Sequence, residues 1–158
     1  MINYRQLTTD DISFFNNLIH NERDNYDDFL KMGWNKDQIS NHLCKNTNLS
    51  IGAFYNQNLV SFILGDFFNI EKKSEYEILL IYVSKYFRKK GLGTKLINYI
   101  KENKSCLKKI YLEVSKNNLE GISFYTKMNF KTIYTRKKYF IYKNKKVDAL
   151  VMNKIYNK

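Results

Sequence analysis

Val83-Ser84-Lys85-Tyr86-Phe87-Arg88-Lys89-Lys90-Gly91-Leu92-Gly93 decides how this chain is read. Before it lies the apolar run Ile78-Leu79-Leu80-Ile81, patterned like a strand buried on both faces. After it, Leu92, Leu96, Ile97 and Ile100 recur at helical spacing, with Lys95, Asn98, Lys101 and Glu102 on the other side. The stretch is therefore a basic turn between a strand and a helix, with two glycines where the helix opens. Glycine lets the backbone approach a ligand and take conformations that a Cβ forbids. Unpaired N–H groups and the helix dipole favour negative charge at such a point, and Lys89, Lys90 and Lys95 add cations. The site suits a pyrophosphate. It is not a Walker A loop, because no Gly-Lys-Ser/Thr ending is present, and Thr94-Lys95-Leu96 after Gly93 excludes Gly-x-Gly-x-x-Gly. A GxG at a helix start is by itself also compatible with a plain strand–helix turn.

Outward from this turn the chain alternates helices and strands. Residues 8–31 read as a helix, with Thr8, Thr9 and Asp10 as caps and Ile12, Phe15, Leu18 and Ile19 on one face. Gly33 breaks it. Asn35 and Gln38 form a capping-box pattern for a short helix carrying Ile39 and Leu43. Residues 49–55 and 59–68 read as a hairpin turning at Asn56-Gln57-Asn58, and residues 75–83 as the strand before the basic turn. Residues 109–115 form a strand, and 118–128 a helix with Ile122 and Tyr125 inward. A last hairpin joins 130–142 to 146–155, and Asn3 to Leu7 offers a further strand. The order (β)-α-α-β-β-β-α-β-α-β-β is an α/β (α+β) fold with a mixed central sheet. The 158 residues, with no linker or repeat, read as one domain, 1–158.

Composition narrows the class. Hydrophobic residues at 44% and aromatics at 16% supply a core. No apolar run approaches the ~20 residues that cross a bilayer, and the N-terminus lacks a signal-peptide pattern, so the expected compartment is the cytoplasm. Cys44 and Cys106 form no CxxC, and with His20 and His42 they make no metal cluster. They read as small buried residues, and no metal is expected. The net charge is +12 and is localised: residues 1–84 carry a net of −4 and residues 85–158 a net of +16. Only four of the 27 basic residues are arginines, whereas bidentate phosphate or base recognition favours Arg. Nucleic-acid contact is thus allowed but not favoured. A solvated lysine surface and a phosphate-rich ligand are the other readings.

Glu113 sits inside the apolar strand Ile110-Tyr111-Leu112-Glu113-Val114, and Tyr125 follows on the next helix. A carboxylate beside apolar neighbours can have a raised pKa, useful in a base. Spacing alone leaves this reading and an outward-facing Glu about even. Tyr125, one of 13 tyrosines, is by position alone a packing aromatic.

Arg88-Lys89-Lys90-Gly91-Leu92-Gly93 resembles the (Q/R)-x-x-G-x-(G/A) acetyl-CoA signature of the GNAT acetyltransferases. Leu112-Glu113-Val114, Asn118, Ser123-Phe124-Tyr125 and Met128-Asn129-Phe130 resemble a run of the ribosomal-protein-alanine acetyltransferases (RimI-like). So do Arg136 to Phe140, Asp148 to Met152, Glu75 to Leu79 and Trp34. The resemblance covers residues 34 to 152 and is strongest from 75. It implies an acetyl-CoA-dependent N-acetyltransferase on the GNAT fold. The loop Arg88, Lys89, Lys90, Gly91, Leu92, Gly93 and Thr94 would bind the pyrophosphate, and the strand around Ile81 and Val83 the pantetheine arm. An amide near Val83 would polarise the thioester carbonyl. Glu113 becomes the base, Tyr125 the acid that protonates the coenzyme A sulfur, and Asn118 a further coenzyme A contact. The implied acceptor is a protein N-terminal α-amine, in particular the N-terminal alanine of a small-subunit ribosomal protein. The acidic run Glu22, Asp24, Asp27 and Asp28 would attract its basic tail or be a solvated face. Leu80 departs from the family's usual Thr, and Ile141 and Lys145 from its Pro and Gly. The last two fall in the final hairpin, which helps shape the acceptor pocket. A lysine or small-amine acceptor, or a non-enzymatic RNA-binding role, are the alternatives.

Overall fold

The computed structural model describes residues 1–20, 32–71 and 73–156. The strands are β1 (Ile2–Gln6), β2 (Ile51–Tyr55), β3 (Asn58–Ile70), β4 (Lys73–Val83), β5 (Leu107–Ser115), β6 (Lys131–Tyr142) and β7 (Lys145–Ile155). The α-helices among the described residues are α1 (Ile12–His20), α2 (Lys36–Leu43), α3 (Leu92–Asn103) and α4 (Leu119–Lys127). The strands hydrogen-bond in the order β1-β2-β3-β4-β5-β7-β6. The β4–β5 pair is parallel, whereas β1–β2, β2–β3, β5–β7 and β6–β7 are antiparallel, so the sheet is mixed as expected. Two compact units share the chain, one of Met1–Phe67 and Leu80–Ser105, the other of Phe68–Leu79 and Cys106–Lys158.

In the first unit the reading of the N-terminal helix is half met. Thr8 opens a single 3₁₀ turn, Thr9–Asp11, and α1 follows from Ile12. Its continuation to residue 31, including the acidic run Glu22, Asp24, Asp27 and Asp28, lies outside the described residues. Asp11 is buried and receives both Arg5 guanidinium nitrogens, at 2.6 and 2.9 Å, and the Thr8 N–H at 2.9 Å. Asn35 and Gln38 form the expected reciprocal cap of α2, each bond 2.9 Å long. Phe15, Leu18 and Ile19 pack with Ile39, Leu43, Phe54, Phe62, Leu64 and Tyr82 in one apolar cluster, against which Trp34 is half-buried. On the other side of β1, Tyr4 stacks on Tyr99 of α3, ring centroids 6.0 Å apart. Helices thus cover both faces of these strands, which is why Ile51 to Phe54 are all buried. Asn56 and Gln57 both take positive φ, the two-residue turn that matches strand twist.

In the second unit, β5 runs beside β4 from Ser74↔Leu107 to Ile78↔Leu112 and beside β7 from Lys109↔Ile155 to Ser115↔Ala149. Tyr76, Ile78, Ile110, Leu112, Val114 and Met152 share the buried face by register. The alternation along β4 is strict: Ser74, Tyr76, Ile78, Leu80 and Tyr82 are buried, while Glu75, Glu77, Leu79, Ile81 and Val83 are half-buried. The expectation of a strand buried equally on both faces is therefore corrected. The apolar run masked a period of two, because one face carries Leu79 and Ile81 as well as two glutamates. The cysteine reading is also corrected. Cys44 and Cys106 are exposed, since Cys44 follows the last turn of α2 and Cys106 sits in the turn before β5.

Candidate active site

Strand β4 delivers the basic turn. The Tyr82 carbonyl accepts from Ser61 Oγ at 2.7 Å, and the Ser84 N–H donates to the Val60 carbonyl at 2.9 Å. Polar groups of successive strand residues face opposite edges, so those of Ile81 and Val83 face away from β3. Arg88 Nε donates to the Val83 carbonyl at 3.0 Å, and the guanidinium lies 5.8 Å from the Tyr82 ring. The Val83 N–H lies on that same edge. Arg88 acts as an anchor that folds the turn back on its own strand.

A short 3₁₀ turn, Lys85–Phe87, follows, and then Lys89 (φ 59°) and Gly91 (φ 77°) take left-handed conformations. Gly91 is the N-cap of α3 and offers no side-chain cap. The first helical bond runs from the Lys95 N–H to the Gly91 carbonyl, 3.0 Å. The amides of Leu92, Gly93 and Thr94 therefore have no partner within the helix and point past its N-terminus, as for an anion. Leu92 itself is buried and fixes the helix, while Lys89, Lys90 and Lys95 are exposed. Lys90 Nζ sits 5.1 Å from the Phe87 ring centroid. A cavity of about 390 Å³ lies beside the same turn, lined by Phe14, Asn17, Tyr55, Asn58, Ser84 and Phe87 among others. Its lining among the described residues carries no charged side chain, whereas the helix start has orphan amides and flanking lysines.

In the second unit, Glu113 lies on β5 opposite Val151 of β7, on the half-buried face. Arg136 Nε is 3.0 Å from Glu113 Oε1, and the Arg136 guanidinium lies 5.1 Å from the Tyr139 ring. Tyr139 hydrogen-bonds to Glu113, which raises its phenol pKa. The expectation that Glu113 sits among apolar neighbours is corrected. Leu112 and Val114 point to the opposite face, and β6 brings a cation and a phenol to the carboxylate. On the same face Tyr111 hydroxyl donates to Glu77 Oε2 at 3.2 Å, and Lys109 Nζ pairs with Glu75 Oε1 at 2.8 Å.

Tyr125 sits in the last turn of α4, 6% exposed, between Phe124 and Phe130 at ring-centroid distances of 5.1 and 5.5 Å. Burial pushes its phenol far above the ordinary tyrosine value, so the proton is held at neutral pH. Asn118 N-caps α4, its Oδ1 accepting from the Gly121 N–H at 2.9 Å. The cap accounts for Asn118 without a ligand and leaves only its amide nitrogen for one. Sequence reasoning passed over Arg136 and Tyr139 as contributors to Glu113. They were quoted as motif residues, but their role required the β6–β7 register. Among the described residues no cluster of His, Cys, Asp or Glu has metal-binding geometry.

A strand–basic turn–helix element with orphan amides, on a mixed sheet of this order, defines an acyl-coenzyme A-binding fold. The model of the acetyltransferase (GNAT) family matches residues 13–130, and the chain belongs to that family. No curated protein matches the chain in sequence. Among solved structures, the chain is similar to the ribosomal-protein-S18-alanine N-acetyltransferase from Escherichia coli at 17% identity. That match has a TM-score of 0.74 and covers 97% of this chain and 92% of that one. It is also similar to Arabidopsis thaliana NAA60 in complex with a bisubstrate analogue, at 17% identity, 99% of each chain and a TM-score of 0.80. Arabidopsis thaliana Naa50 in complex with the bisubstrate analogue CoA-Ac-MVNAL gives 21% identity, 98% of this chain, 99% of that one and a TM-score of 0.74. These likenesses establish the GNAT fold. The protein is an acetyltransferase that uses acetyl-CoA as donor. Its loop fits that donor, because three orphan amides, a left-handed glycine and flanking lysines are what a pyrophosphate requires.

Proposed function

We propose that the protein acetylates the N-terminal α-amine of a protein in the cytoplasm, and that its acceptor is the N-terminal alanine of a small-subunit ribosomal protein. The observation that carries this reading is the Glu113–Arg136–Tyr139 cluster. Glu113 comes from the Leu-Glu-Val stretch and Arg136 and Tyr139 from the Arg-Lys-Lys-Tyr stretch. These are separate pieces of the RimI-like resemblance, and they meet at one carboxylate. Structures of proteins acting on protein N-termini among the similar folds support the same acceptor class.

In this reading Ile81 and Val83 offer backbone groups to the pantetheine arm, and the Val83 N–H hydrogen-bonds the thioester oxygen. The amides of Leu92, Gly93 and Thr94 hold the pyrophosphate, with Lys89 and Lys90 beside it. Asn118 contributes its remaining amide donor. An α-amine has an ordinary pKa of about 7.7–8.0, so Glu113, directly or through a water, has a modest task in removing its proton. The amine nitrogen forms a bond to the acetyl carbon as the C–S bond breaks. Tyr125 gives its phenolic proton to the departing sulfur and regains one from solvent.

Acetyl-CoA turnover, followed as free thiol with an alanine-initiated ribosomal-protein peptide, tests the proposal. Turnover is expected with this peptide and not with its α-amine blocked. It should fall by about 10²-fold or more in Glu113→Gln and in Tyr125→Phe. Equal turnover with a lysine side chain or a polyamine would remove the acceptor assignment, and unchanged rates in both variants would remove the catalytic pair.

A further inference from the structure

We propose that the β6–β7 hairpin, through the lysines and tyrosines toward its turn, is a binding face for single-stranded RNA. Strand β6 is the last in the sheet order, so one of its edges has no strand partner among the described residues. From residue 131 to 146 the sequence carries six lysines, Lys131, Lys137, Lys138, Lys143, Lys145 and Lys146, and Arg136, with no acidic residue. All six lysines are exposed, and none is ion-paired among the described residues. Between them stand large exposed side chains: Tyr134 at 62%, Tyr142 at 43%, Ile133 at 58% and Ile141 at 75%. Lys143 Nζ lies 5.4 Å from the Tyr142 ring centroid, a cation beside an open π-face.

The arrangement selects among occupants. A second copy pairing edge to edge would set lysines against lysines, with no carboxylate in the stretch to relieve them. A bilayer needs one apolar side, but the register puts Tyr142 and Lys145 on one face and Ile141 and Lys146 on the other, so both faces are charged. The turn itself, Lys143-Asn144, is polar. A flexible polyanion with stackable bases fits both features, its phosphates meeting lysines and its unpaired bases meeting tyrosine rings. The hydroxyls of Tyr134 and Tyr142 and the amide of Asn144 are partners for a ribose 2′-hydroxyl, which selects RNA over DNA. A duplex keeps its bases stacked and leaves the rings unused.

Fluorescence anisotropy of a labelled 12-nucleotide oligouridylate with the full-length protein tests this, against the deoxy strand of equal length and vesicles containing anionic phospholipid. If about four phosphates are met, affinity should fall roughly 50-fold between 50 and 200 mM salt. The triple variant Lys143→Gln, Lys145→Gln, Lys146→Gln should bind at least tenfold more weakly and flatten the log–log salt slope by about 2. Tyr142→Ala should weaken binding at least threefold at unchanged salt slope. Circular dichroism of each variant checks that the fold is retained, and Lys108→Gln, on β5, serves as a charge control expected to bind as the parent does. Overturning results would be parent-like binding by the triple variant, equal loss in Lys108→Gln, equal affinity for the deoxy strand, or vesicle binding without RNA binding.

Discussion

Two buried titratable side chains in different parts of the chain make opposite demands on pH. Tyr125 is held protonated by burial between two phenylalanine rings. A group whose folded pKa is raised stabilises the fold below its unfolded pKa, near 10, and loses that contribution as pH rises above it. Its phenol therefore remains a proton donor across the neutral and mildly alkaline range. The pH–rate profile should show no descending limb from Tyr125 up to about pH 10. A limb near 9 that disappears in Tyr125→Phe would contradict this. His42 is the reverse case. Its Nε2 lies 3.2 Å from the Gly65 carbonyl, and its Nδ1 is buried without a hydrogen bond, 3.9 Å from Asp66 Oδ1. Burial lowers its pKa, and the Lys45 charge lowers it further, against the raising effects of the Asp66 charge and the Gly65 carbonyl. A lowered folded pKa gives stability that is complete above the unfolded value of about 6.5 and is lost as pH falls below it. The melting temperature should drop between pH 7 and pH 5, and His42→Leu should reduce that drop.

Elements here are set by a few positions with special backbone demands. Helix α3 begins at Gly91, whose φ of 77° an L-residue adopts at a cost, although no atom lies within 4 Å of a Cβ built there. Gly91→Ala should therefore destabilise the fold by about 1 kcal/mol through conformation alone. It should also raise the dissociation constant for acetyl-CoA, because the amides that follow Gly91 shift with it. Denaturant unfolding and calorimetric titration separate the two effects. Gly52 differs, being limited by space: a Cβ would meet Leu7, Phe54 and Leu59 side chains at 2.8 to 2.9 Å. Gly52→Ala should lower stability by about 1–3 kcal/mol by overpacking.

At the scale of the whole chain, charge is the strongest bias. The net charge of +12 comes from the +16 of residues 85–158, and much of it lies on the loop lysines and the β6–β7 hairpin. No helix among the described residues is long and apolar enough to cross a membrane. The family match, residues 13–130, draws on residues of both compact units and stops short of the hairpin that carries Arg136 and Tyr139.

The sequence by itself determined the element order, the basic turn, the capping box of α2 and both hairpins. Each depends on residues near one another in the chain, through periodicity, caps and turn chemistry. Tertiary structure decided the rest. The apolar run of β4 could not show which alternate residues are buried, because that depends on what covers each face. The exposure of Cys44 and Cys106 depended on where α2 ends and β5 begins. The surroundings of Glu113 were set by the register of β6 against β7, which brings a guanidinium 23 residues away to within 3.0 Å of its carboxylate. Pairing across strands is fixed by the sum of many weak contacts, so no local pattern around Glu113 records it.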